Sequence, residues 1–438
     1  LIVTNIRQPG FRAPSSDVTK LEVFVPKNDI PSIDIQRYSY DLPPDRIAEY
    51  PLEERDASKL LLYSAAEQTI AHHHFRDVAS LLPRNSLLVV NSTRVIAARI
   101  VASKPSGGRV EVLLIDPMIP SVDPVAALQA IGTSTWNSMV GGRNVKSGMV
   151  LTHDQSGLQI TIVERNGTQA VVRLDWQGGK HLAALLEEIG RLPLPPYIHR
   201  NVELVDTERY QTVYAKEQGS VAAPTAGLHF TQRVFDQIDQ RAIETVLLTL
   251  HVGLGTFQPV SATDARDHVM HSERFGVSRQ SLARIHANAA SHEPWITAVG
   301  TTSLRTLESL HTLGASIVCG HDPDPSDLHV DQWSAFDTSL WDVDRRASFA
   351  ALATWMDAHN LTNLWGSTSI MLAPGCRISS VDALITNFHQ PGNTLMLLVA
   401  AFVGQDNWKH VYDAALSNDY RFLSYGDSSL LVREQISV

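Results

Sequence analysis

Two histidines stand where the chain turns among small residues, and histidine is the side chain best suited to moving a proton near neutral pH. The first, His229, closes the run Gly219-Ser220-Val221-Ala222-Ala223-Pro224-Thr225-Ala226-Gly227-Leu228-His229-Phe230-Thr231. Side chains this small let backbone approach a ligand at Thr225, Ala226 and Gly227. Gly227 is also expected to adopt a dihedral that a side chain would forbid. The plain alternative is a helix-opening turn with a satisfied histidine. The second, His251, follows the apolar strand Val246-Leu247-Leu248 and precedes Val252-Gly253-Leu254-Gly255-Thr256-Phe257-Gln258-Pro259. Strand ends that open into such turns are where α/β proteins gather ligand groups. Gly253 and Gly255 lack the third glycine of a dinucleotide fingerprint, so this turn does not support a Rossmann methyltransferase.

Three more segments end a strand in polar groups. Ile296 to Glu308 reads as strand, tight turn and helix, so the free N–H groups and hydroxyls at Thr301 and Thr302 could hold a carboxylate or a phosphate. Arg305 sits one turn further and would add charge. Simple capping by Thr302 or Ser303 is the alternative. Asp382 to Pro391 is an apolar strand ending at Asn387, Phe388 and His389. Tyr420 to Asp427 ends with Tyr425, Gly426 and Asp427, a ring and a carboxylate that suit a cationic ligand, although a turn Asp is the commoner fate of a Gly-Asp pair. His72-His73-His74 is not a metal site, because adjacent strand residues point to opposite faces. No His-Glu-x-x-His, Cys-x-x-Cys, P-loop or Gly-x-Ser-x-Gly pattern occurs, which disfavours metalloprotease, phosphate-loop ATPase and serine hydrolase readings.

A chain of 438 residues that is 44% hydrophobic is expected to carry more than one core. Residues 1–37 lack a sustained period and read as a leader. A main domain is expected over 38–95, 177–310 and 364–438. It alternates helical and strand-like patterns, the signature of α/β or α+β layering. Residues 96–176 are short alternating segments with glycine and asparagine turns, the pattern of a small inserted β-barrel. Residues 311–363, with a proline-broken acidic run and Trp333, Trp341 and Trp355, read as an insertion or lid. The two cysteines, Cys319 and Cys376, cannot form a disulfide framework, and no apolar run is long enough to span a bilayer. A cytoplasmic protein with no membrane partner is therefore expected. The net charge of -10 argues against nonspecific coating of nucleic acid while leaving room for a local basic patch.

Tyr40-Asp41-Leu42-Pro43, Arg55 to Leu60, Asn91-Ser92-Thr93-Arg94-Val95, Leu192 to Ile198, Glu208 to Ala215, Ala222 to Thr231, His251 to Val260, His271-Ser272-Glu273, Val299 to Ser309, Val381 to His389 and Tyr420 to Asp427 follow one another along the chain. Together they resemble the S-adenosylmethionine:tRNA ribosyltransferase-isomerase family of queuosine biosynthesis. The resemblance implies a larger α/β domain interrupted by a β-barrel, and a monomer. It also implies an enzyme that takes S-adenosylmethionine as substrate, with no metal and no cofactor. The implied partner is tRNA with a GUN anticodon carrying 7-aminomethyl-7-deazaguanine at the wobble position. The products would be epoxyqueuosine-tRNA, adenine and methionine.

Such chemistry needs a base for the proton beside the sulfonium, an acid for departing adenine, and dry walls. On residue chemistry, His229 and His251 would move protons, and Asp427 or Glu273 would face the sulfur or the ribose hydroxyls. Thr225, Ala226, Gly227, Phe230, Gly253, Gly255, Thr256, Phe257, Asn387, Phe388, His389, Tyr425 and Gly426 would line the pocket. Thr301, Thr302 and Arg305 would hold an anionic group, and Arg55 and Arg94 would meet tRNA. All of these strand ends are expected to converge on one water-poor cavity large enough for a sulfonium nucleoside.

The sequence departs from the family pattern at Ser92 (usually Asp), Ala97 (Pro), Gly141-Gly142 (near a Lys-Pro pair), Ser367-Thr368-Ser369 (Trp-Thr-Asp), Leu423 (Phe) and Ser428-Ser429 (Ala-Met). These changes bear on tRNA positioning more than on the S-adenosylmethionine pocket. Two other readings stay open at this point: a relative with a non-tRNA acceptor, and a catalytically silent tRNA- or nucleotide-binding protein.

Overall fold

A computed structural model describes residues 25–253, 260 and 262–433. Its centre is a run of parallel strands in the order Glu244–Leu250, Leu87–Asn91, Ile296–Val299, Ala383–Asn387. Leu87 and Val89 point into one large core, whereas Leu88 and Val90 point into another. That split is the period of two expected of a strand buried on both faces. The helix Gly300–Val318 packs on the first face. Phe75, Phe230, Val234 and Ile238 cover the second. Antiparallel strands extend the sheet on both sides, with Glu273–Ser278 and Asn363–Thr368 beyond Glu244–Leu250, and Ser428–Val432 beside Ala383–Asn387.

Within the sequence of this sheet lies a closed barrel of six antiparallel strands, from Arg99–Ser103 to Gln169–Asp175. Alternate residues such as Val112, Leu114, Ile160, Ile162, Val172 and Leu174 fill it. Closure leaves no exposed sheet edge. The mixed α/β layering and the inserted barrel agree with the architecture read from the sequence. In the segment 311–363, Phe349, Leu352, Trp355 and Met356 belong to the main core, and helix Arg345–Ala358 packs on helix Gly300–Val318. No described helix is long and apolar enough to cross a membrane.

Candidate functional site

Parallel register brings the carboxyl ends of four strands to one edge of the sheet, so that Asn91, His251, Gly300 and Asn387 emerge side by side. This is the edge at which open α/β sheets bind ligands. Ser428 pairs with Asn387, which brings the Tyr420 to Asp427 segment to the same place. Pro224, Thr225, Ala226, Thr301, Thr302 and Asn387 are among the residues that wall a chamber here. Its volume is ≈ 60 Å³, enough for a carboxylate and too small for a nucleoside. A second space of ≈ 510 Å³ lies between the barrel and the sheet, walled by His251, Gly253 and Glu273, and Val252 borders both. The single nucleoside-sized cavity expected at the strand ends is thus two spaces. The packed strand ends leave little volume, and the barrel opens a larger one against them.

His251 commands the larger space. Its Nδ1 lies 3.2 Å from the Thr93 hydroxyl oxygen, and that hydroxyl donates to the Glu217 carbonyl at 3.4 Å. A hydroxyl has one hydrogen, so Thr93 accepts from His251, which places the imidazole proton on Nδ1. Nε2 is then a bare acceptor, buried and without a hydrogen-bond partner among the described residues. Burial lowers the pKa of His251 to about 4, with Asp123 opposing the fall and Arg274 adding to it. Above Thr93 the backbone passes so close that a Cβ on Gly219, at φ +139, would stand 3.0 Å from the ring. The imidazole is fixed, neutral and able to take a proton.

His229 is placed differently. Its Nδ1 meets Ser58 Oγ at 2.8 Å, its Nε2 meets Asn387 Nδ2 at 3.2 Å, and its ring stacks on Phe75. Burial brings its pKa down to about 3. With both nitrogens engaged, it stands behind Asn387 and braces it. Asn387 also donates to the Leu423 carbonyl at 3.1 Å, while its Oδ1 has no partner among the described residues. Leu423 itself has φ 69, a conformation that costs a non-glycine residue energy and is found at sites more often than elsewhere. His389 lines the chamber with its Nε2 2.9 Å from Thr386 Oγ1, and burial lowers its pKa to about 3.

The start of helix Gly300–Val318 faces the chamber without a side-chain cap. Gly300 turns at φ +86. Thr302 accepts from Asn91 Nδ2 at 3.4 Å, and Ser303 donates to the Val299 carbonyl at 2.7 Å, so neither supplies the cap that was the alternative to an anion site. The helix N–H groups remain for an anion. Arg305 points elsewhere, into a buried ion pair with Glu273, and its Nε donates to the Ile370 carbonyl at 3.2 Å. Glu273 Oε1 accepts from the Gly253 N–H at 3.2 Å. This pair sits where the chain leaves His251.

Other expected lining residues are spent on the fold. Asp427 accepts from the N–H groups of Lys59 at 2.9 Å and Arg421 at 2.7 Å, and burial raises its pKa. Tyr425 donates to Asp206 at 2.9 Å, beside the bidentate Arg200–Asp206 pair. A Cβ on Gly426 would meet the Arg421 carbonyl at 2.5 Å. Phe230 packs against Phe75 and Phe235, and Phe388, though at the chamber, packs on Tyr412 and Tyr420. Arg55 donates to the Gln211 and Glu208 carbonyls at 2.6 and 2.8 Å. Arg94 is exposed and borders a groove of ≈ 580 Å³. Gly255, Thr256 and Phe257 lie outside the described residues.

Gly227 does not use a left-handed dihedral; its reason is contact. A Cβ there would run into the hydroxyl of Tyr214, itself buried without a partner among the described residues. Gly227→Ala is therefore expected to destabilise by about 1–3 kcal/mol through overpacking, and Tyr214→Phe in the same chain to recover part of the loss, as read from thermal midpoints. Three histidines at the strand ends make stability depend on pH. His229, His251 and His389 are held below their ordinary value of 6.5, at about 3, about 4 and about 3. Unfolded, they bind protons that the native state refuses. Their contribution is complete above pH 6.5 and is lost as pH falls through that value toward 3–4. Urea midpoints across this range should fall on the acid side, with net proton uptake on unfolding.

Thr93 and Ser58, from the motifs Asn91 to Val95 and Arg55 to Leu60, also belong to the site, as do Trp365 and Arg274, which lie outside every motif read from the sequence. Thr93 signals itself by lying two residues beyond a buried strand residue. Trp365 signals itself as an aromatic residue before Gly366 in an alternating strand.

Fold and site define an α/β protein with an inserted barrel, a nucleoside-sized cleft between the two and a neutral, oriented histidine on its wall. A family model described as queuosine biosynthesis protein matches residues 35–431. An S-adenosylmethionine:tRNA ribosyltransferase-isomerase of Legionella pneumophila (strain Paris) is 37% identical over 397 residues, which is 91% of this chain and 99% of that protein. One of the same name from Syntrophomonas wolfei is 37% identical over 400 residues, covering 91% and 97%. A crystal structure described as S-adenosylmethionine tRNA ribosyltransferase from Thermotoga maritima is 26% identical. It covers 90% of this chain and 100% of its own, with a TM-score of 0.44. The chain belongs to the queuosine biosynthesis protein family.

Proposed function

We propose that this chain performs the reaction for which its relatives are named, transferring and isomerising the ribosyl part of S-adenosylmethionine onto tRNA. The acceptor is 7-aminomethyl-7-deazaguanine at the wobble position of GUN-anticodon tRNA, and adenine and methionine leave. S-adenosylmethionine is the substrate, and the enzyme works as a cytoplasmic monomer with neither metal nor cofactor. The observation that carries this reading is His251, its buried Nε2 unpartnered among the described residues, on the wall of a cleft of ≈ 510 Å³, in a chain 37% identical to enzymes of that name.

His251 takes the proton beside the sulfonium, whose positive charge makes that proton acidic. Thr93 keeps the base in the right tautomer, while Glu273, paired with Arg305, anchors the Gly253 N–H beyond it. The uncapped helix start at Gly300 and the small chamber suit a carboxylate, such as that of the methionine part. Arg94 is the exposed cation available to a phosphate. The test is incubation with S-adenosylmethionine, with and without precursor-bearing tRNA, and measurement of adenine. Release that requires the tRNA supports the reading. Release with another acceptor, or none at all, overturns it.

A further inference from the structure

The cleft wall beside His251 is built around one indole. Trp365 comes from strand Asn363–Thr368 and lies opposite Gly276 of the neighbouring strand. A Cβ at Gly276 would fall 2.6 Å from two indole carbons, so the missing side chain is what lets the ring lie there. Arg274, two residues earlier on the same face, holds its guanidinium 5.2 Å from the indole centroid and is tied to Asp123 at 2.9 Å. The His251 ring is parallel to the indole within 2°, with centroids 6.2 Å apart. Trp365 is only half-buried and borders the cleft, and its indole N–H makes no hydrogen bond among the described residues.

An indole serving only as core would be covered and would use its N–H. Here a ring, a neutralised cation and an imidazole line one wall, and Ile115, Pro117 and Pro124 of the barrel segment border the same space. Planar heteroaromatic groups match this wall: stacking on the ring, with apolar side chains around it. We propose that Trp365 is a stacking platform for a nucleobase, with Gly276 and Arg274 setting the ring's position. Within the function proposed above, on which this rests, that base is either the adenine of S-adenosylmethionine or the acceptor base of tRNA.

Equilibrium dialysis with S-adenosylmethionine and steady-state kinetics in tRNA, on the wild type, Trp365→Ala, Trp365→Phe and Gly276→Ala, separate the sources. Loss of the ring should weaken the stacked ligand by about 10- to 100-fold, with Trp365→Phe retaining much of the binding and Gly276→Ala resembling Trp365→Ala. A weaker Kd for S-adenosylmethionine at unchanged KM for tRNA assigns the platform to adenine. The reverse assigns it to the acceptor base. Folded Trp365→Ala, with a native thermal midpoint and neither constant moved, overturns the proposal. If the wild type releases no adenine, dialysis against adenosine and 7-deazaguanosine still decides the platform by itself, since the Trp365→Ala difference in nucleoside binding needs no turnover. Equal binding of both nucleosides by wild type and variant would overturn it there.

Discussion

His251→Ala is expected to lower single-turnover adenine release by about 10²- to 10⁴-fold, while the Kd for S-adenosylmethionine changes far less. The reason is positional. His251 is the histidine whose Nδ1 proton is committed to Thr93 and whose buried Nε2 has no partner among the described residues. Substitution removes the acceptor for the departing proton and leaves the helix start and the chamber intact. The pH profile follows from its pKa of about 4. The base is neutral and competent above that value, so its contribution to single-turnover rate is level through neutrality and falls as pH drops through about 4. His229→Ala should act differently, through stability and the placement of Asn387. Rapid-quench measurement of adenine distinguishes them, and an unchanged rate in His251→Ala would remove that residue from the chemistry.

Breaking the Glu273–Arg305 pair is expected to have the largest effect on stability. Both side chains are more than nine-tenths buried. Removing one partner leaves the other charge in a poor solvent, which costs about 3–5 kcal/mol. Glu273→Gln and Arg305→Met should each show losses of this size in denaturant midpoints. The double replacement should recover much of the loss, because two neutral groups carry no uncompensated charge. Activity should fall as well in the single variants, since Glu273 anchors the Gly253 N–H just beyond His251. Single changes that cost under about 1 kcal/mol would show that the pair is solvated in solution.

What the sequence made legible was periodicity and strand ends. Leu87 to Val90 announces itself as a buried strand because nothing polar interrupts it, Ile296 to Val299 does so with Thr297 as its one polar residue, and the barrel follows from short alternating segments between glycine turns. That His251, Gly300 and Asn387 share an edge also follows from strand-end logic, once the strands are parallel. Direction was less legible. Asp427 and Tyr425 have the right chemistry for a cationic ligand, yet their oxygens are turned to backbone N–H groups and to Asp206. Pairings between segments far apart in sequence decide this, and no local pattern encodes them. Arg305 likewise faces Glu273 rather than the helix start.

The departure at Ser367-Thr368-Ser369 shows the same limit. Read in register it is a lost aromatic residue. In the sheet, Trp365 sits two positions earlier and therefore on the same face, with an indole opposite Gly276. A side chain moved by one strand period keeps its side of the sheet. Gly227 is a similar case: its constraint is the Tyr214 hydroxyl rather than a dihedral.

A crystal structure of the chain with S-adenosylmethionine bound tests the central claim most directly. The nucleoside is expected in the cleft between barrel and sheet, with its reacting ribose within hydrogen-bond reach of His251 Nε2 and its carboxylate toward Gly300 and Thr301. Density for S-adenosylmethionine elsewhere, away from His251 and the cleft, would contradict it.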